Sequence, residues 1–198
     1  MVEIIQSIQP LWCEFITLGK KRWEIRKSRP KYKTPFKVYI YATKGKGTVR
    51  LVNFGYGRLD YYHCDKSMRA YAEKFPDKFY DGKIIGEYIC DRIEDFYLPY
   101  PAYFSEVPQD VKQIITDACL TLTKAHHYIG TNTGYAWHIS DLKVYDKPKS
   151  LTDFMKPCNK NANCAYCKKA LLLGGNCNGR FERPPQSWCF TEGVNVSG

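Results

Sequence analysis

The stretch GKKRWEIRK, residues 19–27, sets one carboxylate, Glu24, among Lys20, Lys21, Arg22, Arg26 and Lys27. Read as a strand, RWEIR puts Arg22, Glu24 and Arg26 on one face and Trp23 and Ile25 on the other, because successive side chains alternate. The guanidinium of Arg26 is a planar fork, suited to a phosphate or to a carboxylate gripped by two bonds. Lys21, close to a carboxylate, stays charged and donates to a phosphate, or is matched with that carboxylate as an acid/base pair. A second carboxylate, Glu87, interrupts the apolar run KIIGEYIC. Burying it is costly unless a cation or several donors meet it. Two readings follow: a charged site that holds an anion, or a structural Glu24–Arg26 network at a strand end with no ligand.

The other concentration of chemistry lies near the C-terminal end. Five of the nine cysteines fall between residues 158 and 189, at Cys158, Cys164, Cys167, Cys177 and Cys189. In CAYC, two intervening residues let the thiolates of Cys164 and Cys167 converge on one tetrahedral ion, and Cys158 and Cys177 complete four ligands. Cys189, within a strand pattern, competes for a place. The N-terminus MVEIIQSIQP has no basic region leading into a long apolar stretch, so no secretory signal is expected and a reducing compartment favours metal over disulfides. Structural zinc is the expected cofactor, the alternative being free or disulfide-bonded thiols. Gly174, Gly175 and Gly179 and the scarcity of apolar residues mean that residues 156–184 would draw their order from the metal. Four thiolates leave no open position for catalysis at it.

The elements that must position these groups are short. VEIIQSIQ reads as a strand that yields to a helix at Pro10, a residue suited to a first helical turn. Leu11, Trp12, Phe15 and Ile16 recur at helical spacing, with Gly19 placed to close the last turn and Trp12 expected in the core. FKVYIYA, 36–42, is a strand. Residues 48–82 keep no period and are expected to be a surface excursion holding one short helix around KSMRAYAEKF. KIIGEYICDRIEDF, 83–96, and GYAWHISDLKVYD, 134–146, read as strands, the second with Trp137 and His138 on opposite faces. Between them, SEVPQDVKQIITDACLTL fits one amphipathic helix capped at Ser105, with His126 and His127 on the surface beyond it. RPPQSWCF ends the pattern as a strand.

The net charge of +10 is local: residues 20–50 hold twelve Lys or Arg against Glu24 alone, so that window carries +11. Such concentration speeds encounter with polyanions and supports phosphate contacts. Hydrophobic residues at 44% and charged ones at 25% describe a globular chain. No apolar run approaches the roughly 18 residues of a membrane span, and a soluble, membrane-free protein is expected.

SIQPLWCEFITLGKKRWEIRKSRP, PFKVYIYATKGKG, GKIIGEYICDRI, YAWHISDLKVYDKP and RPPQSWCF together resemble the ASCH domain of the PUA-like superfamily, over residues 3–190. The signature Gly-x-Lys-x-x-Glu-x-Arg is matched by Gly19, Lys21, Glu24 and Arg26, and Arg22 stands where many members have Thr. A cysteine-rich insertion before the PPQSW strand is similar to the phage and bacterial branch. The resemblance implies a single domain over 1–198, mixed α+β and mainly β: an open barrel with flanking helices, a signature-lined cleft and a zinc-binding appendage. It implies binding of RNA or a nucleotide-like anion through Lys20, Lys21, Glu24, Arg26, Trp137 and His138. The alternative on the same scaffold is a ribonuclease or an acylcytidine-type amidohydrolase. Lys21 with Glu24 or Glu87 would then be catalytic and Arg26 would steady developing negative charge. In the small amidohydrolase relative a Thr takes the place of Glu24. A third reading pairs the basic patch with an acidic protein partner. By resemblance, the location is the cytoplasm of a bacterial or phage-infected cell.

Overall fold

The computed structural model describes residues 1–44, 49–55, 58–63, 65–130, 132–157 and 179–192. The chain opens with β1 (Glu3–Ile8), α1 (Pro10–Thr17), β2 (Trp23–Arg26) and β3 (Phe36–Ala42). β1 has both of its faces covered: Ile4 and Ile8 enter one core and Ile5 another. Pro10 starts α1 at its first position, and Gly19, at φ 69°, takes the left-handed conformation that ends it.

β4 (Val49–Val52), β5 (Asp60–His63) and α2 (Lys66–Lys74) follow, then β6 (Lys83–Cys90) and β7 (Ile93–Phe96). The expected short helix is α2, capped by Asp65, whose carboxylate accepts from the Met68 amide at 3.0 Å. The expectation of a mere excursion misses the β4–β5 hairpin. Leu51, Leu59 and Tyr80 from this region are buried in the main core. Each strand has only four residues, too few to establish a period of two in the sequence.

The remaining elements are α3 (Gln109–Asp117), α4 (Leu122–Ile129), β8 (Gly134–His138), β9 (Ser140–Lys149) and β10 (Trp188–Thr191). The single helix expected here is two. α3 starts after Pro108 rather than at Ser105 and ends at Cys119, which adopts φ 58° without being glycine.

β10-β1-β3-β6-β9 form one sheet, with β1 and β3 parallel and the other pairs antiparallel. β2-β8-β7 form a second, antiparallel sheet and β4-β5 a third. Each of the two strands expected at 83–96 and 134–146 is broken and changes sheet, at residues 91–92 and at Ile139. The architecture is mixed α+β, mainly of strands. The described strands hydrogen-bond as three sheets and close no barrel among themselves.

Trp23 and Ile25 pack with α3 and α4 in a second core, as strand alternation requires. The far face of the large sheet is covered by Leu151, Phe154 and Phe181. Phe181 lies inside the 156–184 segment, so the described end of that segment is part of the domain. No helix among the described residues is long and apolar enough to cross a membrane.

Candidate functional site

The turn after α1 sorts the two adjacent lysines. The amides of Lys20 and Lys21 both donate to the Phe15 carbonyl, at 2.9 and 3.0 Å, and the chain then enters β2 through the Arg22 amide, bonded to Asp117 O at 2.8 Å. Lys20 is left exposed while Lys21 turns inward, 3% exposed. Its ammonium donates to the carbonyl of Ala118 at 2.8 Å. That carbonyl caps α3, where the helix dipole is negative.

β2 is held by β8, with Glu24 opposite Trp137 and Arg26 opposite Tyr135. Its alternation sends Glu24 and Arg26, 7% and 5% exposed, to the face that Lys21 reaches. The Glu24 carboxylate lies 3.3 Å from Lys21 Nζ through Oε2 and 3.0 Å from Arg26 Nη2 through Oε1. Arg26 is further fixed by donating from Nη2 to Ser7 O at 2.7 Å and from Nη1 to Ser187 Oγ at 3.3 Å. Two cations thus share one anion, and the buried group carries a net charge of +1. Glu24 Oε2 and Arg26 Nε are sealed atoms with no hydrogen-bond partner among the described residues.

These three side chains line a cavity of about 480 Å³, walled also by Trp12, Lys124 and Tyr128, with Ser7, Gln9, Thr43 and Gln186 around it. Lys21 Nζ stands 5.2 Å from the centre of the Trp12 ring. Lys124 and Tyr128 are four residues apart on α4 and so share a face. Burial raises the Tyr128 hydroxyl and the Glu24 charge adds to this; the charge and hydrogen bond of Arg26 oppose them without cancelling the rise. The thiol of buried Cys13 is pushed well up, first by burial and then by Glu24, and stays protonated. It is no nucleophile in that state.

The structure brings together Lys21, Glu24 and Arg26, and leaves the other residues singled out in the sequence elsewhere. Lys20 is at the surface outside the cavity. Glu87 sits opposite Tyr39 in the β3–β6 ladder, on the face that packs against Phe154. There it accepts from the Tyr145 hydroxyl and lies 3.8 Å from Lys37. Trp137 is fully buried between Phe36 and Trp188, at ring separations of 5.4 and 5.7 Å. His138 is bonded through Nδ1 to Asp91 at 2.6 Å and packs on Trp23. Neither lines the cavity.

Cys158, Cys164, Cys167 and Cys177 lie outside the described residues. Cys189 is half-buried on β10, its thiol raised by burial to about 11 although Lys156 pulls it down. No group of three metal-ligating side chains occurs among the described residues.

Trp12, expected in the core, does pack against it but also walls the cavity, and sequence reasoning missed the α4 pair. The signal for the pair was Lys124 and Tyr128 at helical spacing behind Thr121, which caps α4 by accepting from the Lys124 amide at 3.2 Å.

No protein-family model and no curated protein sequence matches the chain. Its fold, however, is similar to that of the crystallised ASCH protein from Zymomonas mobilis, with a TM-score of 0.51 at 17% identity over 95% of this chain and 86% of that one. Structures of two mutants of that protein superpose with a TM-score of 0.50, again at 17% identity and over 95% of this chain, covering 88% and 87% of theirs. The likeness is one of fold.

Proposed function

We propose that this chain, whose fold is that of an ASCH domain, binds nucleic acid, either RNA or a modified nucleotide, in the Lys21–Glu24–Arg26 cavity. The observation that carries the reading is the unbalanced charge of the buried network. Desolvated cations in excess of their counter-ions are costly, and Lys124 at the wall adds another positive charge. A phosphate supplies the missing anion. The cavity volume falls within the range of small-ligand sites, roughly 300–1,000 Å³. Trp12 and Tyr128 offer faces on which a base stacks. Fluorescence anisotropy with single-stranded RNA across a salt series tests this. Binding should weaken with salt along a negative log–log slope, and Lys124→Ala should make that slope shallower. Absence of binding at low salt, or a slope near zero, overturns the reading.

The second reading is an enzyme in the same cavity, a ribonuclease or an amidohydrolase of an acylated cytidine. It draws support from the 3.3 Å separation of Lys21 and Glu24, an acid/base pair that does not require Glu87. Turnover of RNA or N-acetylcytidine that is the same in wild type, Lys21→Ala and Glu24→Ala excludes it.

We also propose that Cys158, Cys164, Cys167 and Cys177 bind one structural zinc ion, on the strength of the CAYC spacing. Cys189, half-buried on β10, is the competing ligand. The cytoplasm is the proposed location, in keeping with the free thiols of Cys13, Cys90, Cys119 and Cys189.

A further inference from the structure

The loop between β2 and β3 holds a second depression, of about 620 Å³, lined by Arg29, Lys31, Tyr32, Lys33, Thr34 and Ile93. With Pro30, seven residues line it; three of them are cationic and none is anionic. The loop is anchored by aromatic side chains. Trp188 Nε1 donates to Ser28 Oγ at 3.1 Å, the Arg29 guanidinium lies 5.5 Å from the Tyr135 ring centre, and Tyr32 meets Phe190 edge to face at 5.2 Å. Tyr32 nonetheless keeps 57% of its surface exposed.

This depression is tied to the cavity by the chain itself. Arg26 lines the cavity and Arg29 the depression, and three residues of backbone span at most about 10 Å. Lys27 bridges the interval, its ammonium 5.2 Å from the ring of Tyr128, itself a cavity residue. Tyr135, under Arg29, is the register partner of Arg26 on β8. Positive charge and aromatic faces therefore continue from Lys124 and Arg26, the latter paired with Glu24, past Lys27 and Tyr128 to Arg29, Lys31, Tyr32 and Lys33, and no carboxylate lines the depression itself.

We propose that the occupant of the cavity is one nucleotide of a single strand, and that residues 27–33 form a track for the adjoining phosphates with Tyr32 as a stacking platform for a neighbouring base. This rests on the nucleic-acid reading of the cavity and specifies its substrate class as a polynucleotide, not a free nucleotide. A single-stranded backbone presents a phosphate per residue and unpaired bases with open faces, which matches alternating cations and tyrosine. A free nucleotide would leave the track unused.

The test compares two probes on the full chain: a labelled single-stranded RNA of about 12 nucleotides, within the span of common single-strand sites, and a nucleoside 5′-monophosphate. In Lys31→Glu/Lys33→Glu, which leaves the Arg29–Tyr135 pair intact, RNA affinity should fall at least about tenfold. The log–log salt slope should shrink by about 1.4, at roughly 0.7 for each phosphate no longer neutralised. Monophosphate affinity should stay within about twofold. Tyr32→Ala should weaken RNA about fivefold or more with the slope unchanged. RNA affinity and slope unaltered by the double variant overturn the track. So does a wild type that binds RNA no more tightly than the monophosphate, an outcome that leaves the cavity reading standing. A wild type that binds neither probe removes the cavity reading, and the track with it.

Discussion

Glu24 is the residue on which the cavity's charge turns. It faces two cations at 3.3 and 3.0 Å, and all three side chains are nearly sealed from solvent. Replacing it by Gln keeps the volume but leaves Lys21 and Arg26 as buried cations without a counter-ion, and breaking a buried pair in this way costs on the order of 3–5 kcal/mol. Urea denaturation of Glu24→Gln should show a loss of that order; below about 1 kcal/mol the network is not a coupled unit. Added inorganic phosphate should then raise the variant's unfolding midpoint more than the wild type's, because the cavity has gained positive charge. Asp91 illustrates a different balance. Burial pushes its carboxyl up, but the hydrogen bond and charge of His138, with Arg92, outweigh this and hold it below the usual value. The ionised form is thus favoured in the fold. Its contribution is complete above the unfolded carboxyl pKa of about 3.9 and is lost as pH falls through the depressed folded value. The stability gap between wild type and Asp91→Asn, followed by urea denaturation at successive pH values, should accordingly be widest above about pH 5 and close on acidification. A gap that widens toward acid contradicts the assignment.

At the level of elements, the site depends on α4, a helix of only eight residues that carries Lys124 and Tyr128 to the cavity. A helix so short is not stable by its own propensity. Its cap, the Thr121 hydroxyl, and the burial of Ala125 and Ile129 hold it in place. Thr121→Ala should cost about 1 kcal/mol in chemical denaturation and speed amide exchange in α4 before other helices; exchange unchanged in α4 would mean that packing alone fixes it. The same element shows where sequence reading reached its limit. β1, α1 and β3 were legible because Pro10, Gly19 and the apolar runs mark them locally, and the face shared by Glu24 and Arg26 followed from alternation. The boundary between α3 and α4 was not, because it falls at Cys119, a non-glycine at positive φ whose type gives no warning. Trp137 alternates correctly within its strand, yet which side of β8 meets the cavity is decided by Phe36 and Trp188, residues about 100 and 50 positions away. Glu87 reads as a buried acid from its apolar neighbours, and only the β3–β6 register places it beside Tyr39, on the face away from the main core.

For the whole molecule, the described residues that flank the cysteine-rich stretch are joined to one another by hydrogen bonds. The Lys156 amide donates to Gly179 O at 2.6 Å, the Phe181 amide to Phe154 O at 3.2 Å, and Met155 bridges Arg180 in antiparallel fashion. Residues 156 and 179 therefore stand as neighbours across a short ladder, the geometry that a tight turn can close. Phe154 and Phe181, both buried against Tyr39 and Ile5, secure that ladder to the sheet. Excising residues 157–178 and joining the ends through Asn-Gly should leave the body folded. Far-UV circular dichroism and the thermal midpoint should change little, since the cores retain every described buried side chain and shortening a loop lowers its closure entropy only slowly with length. The sites divide along the same line. The proposed RNA binding, assigned to Lys21, Arg26, Lys124 and the 27–33 track, should survive the excision. The proposed zinc, measured by elemental analysis against the intact chain, should disappear even though Cys189 remains. Loss of the cooperative thermal transition would show that the stretch helps to hold the body together. Retention of one zinc per chain would move the metal to cysteines outside the excised residues and overturn the four-thiolate assignment.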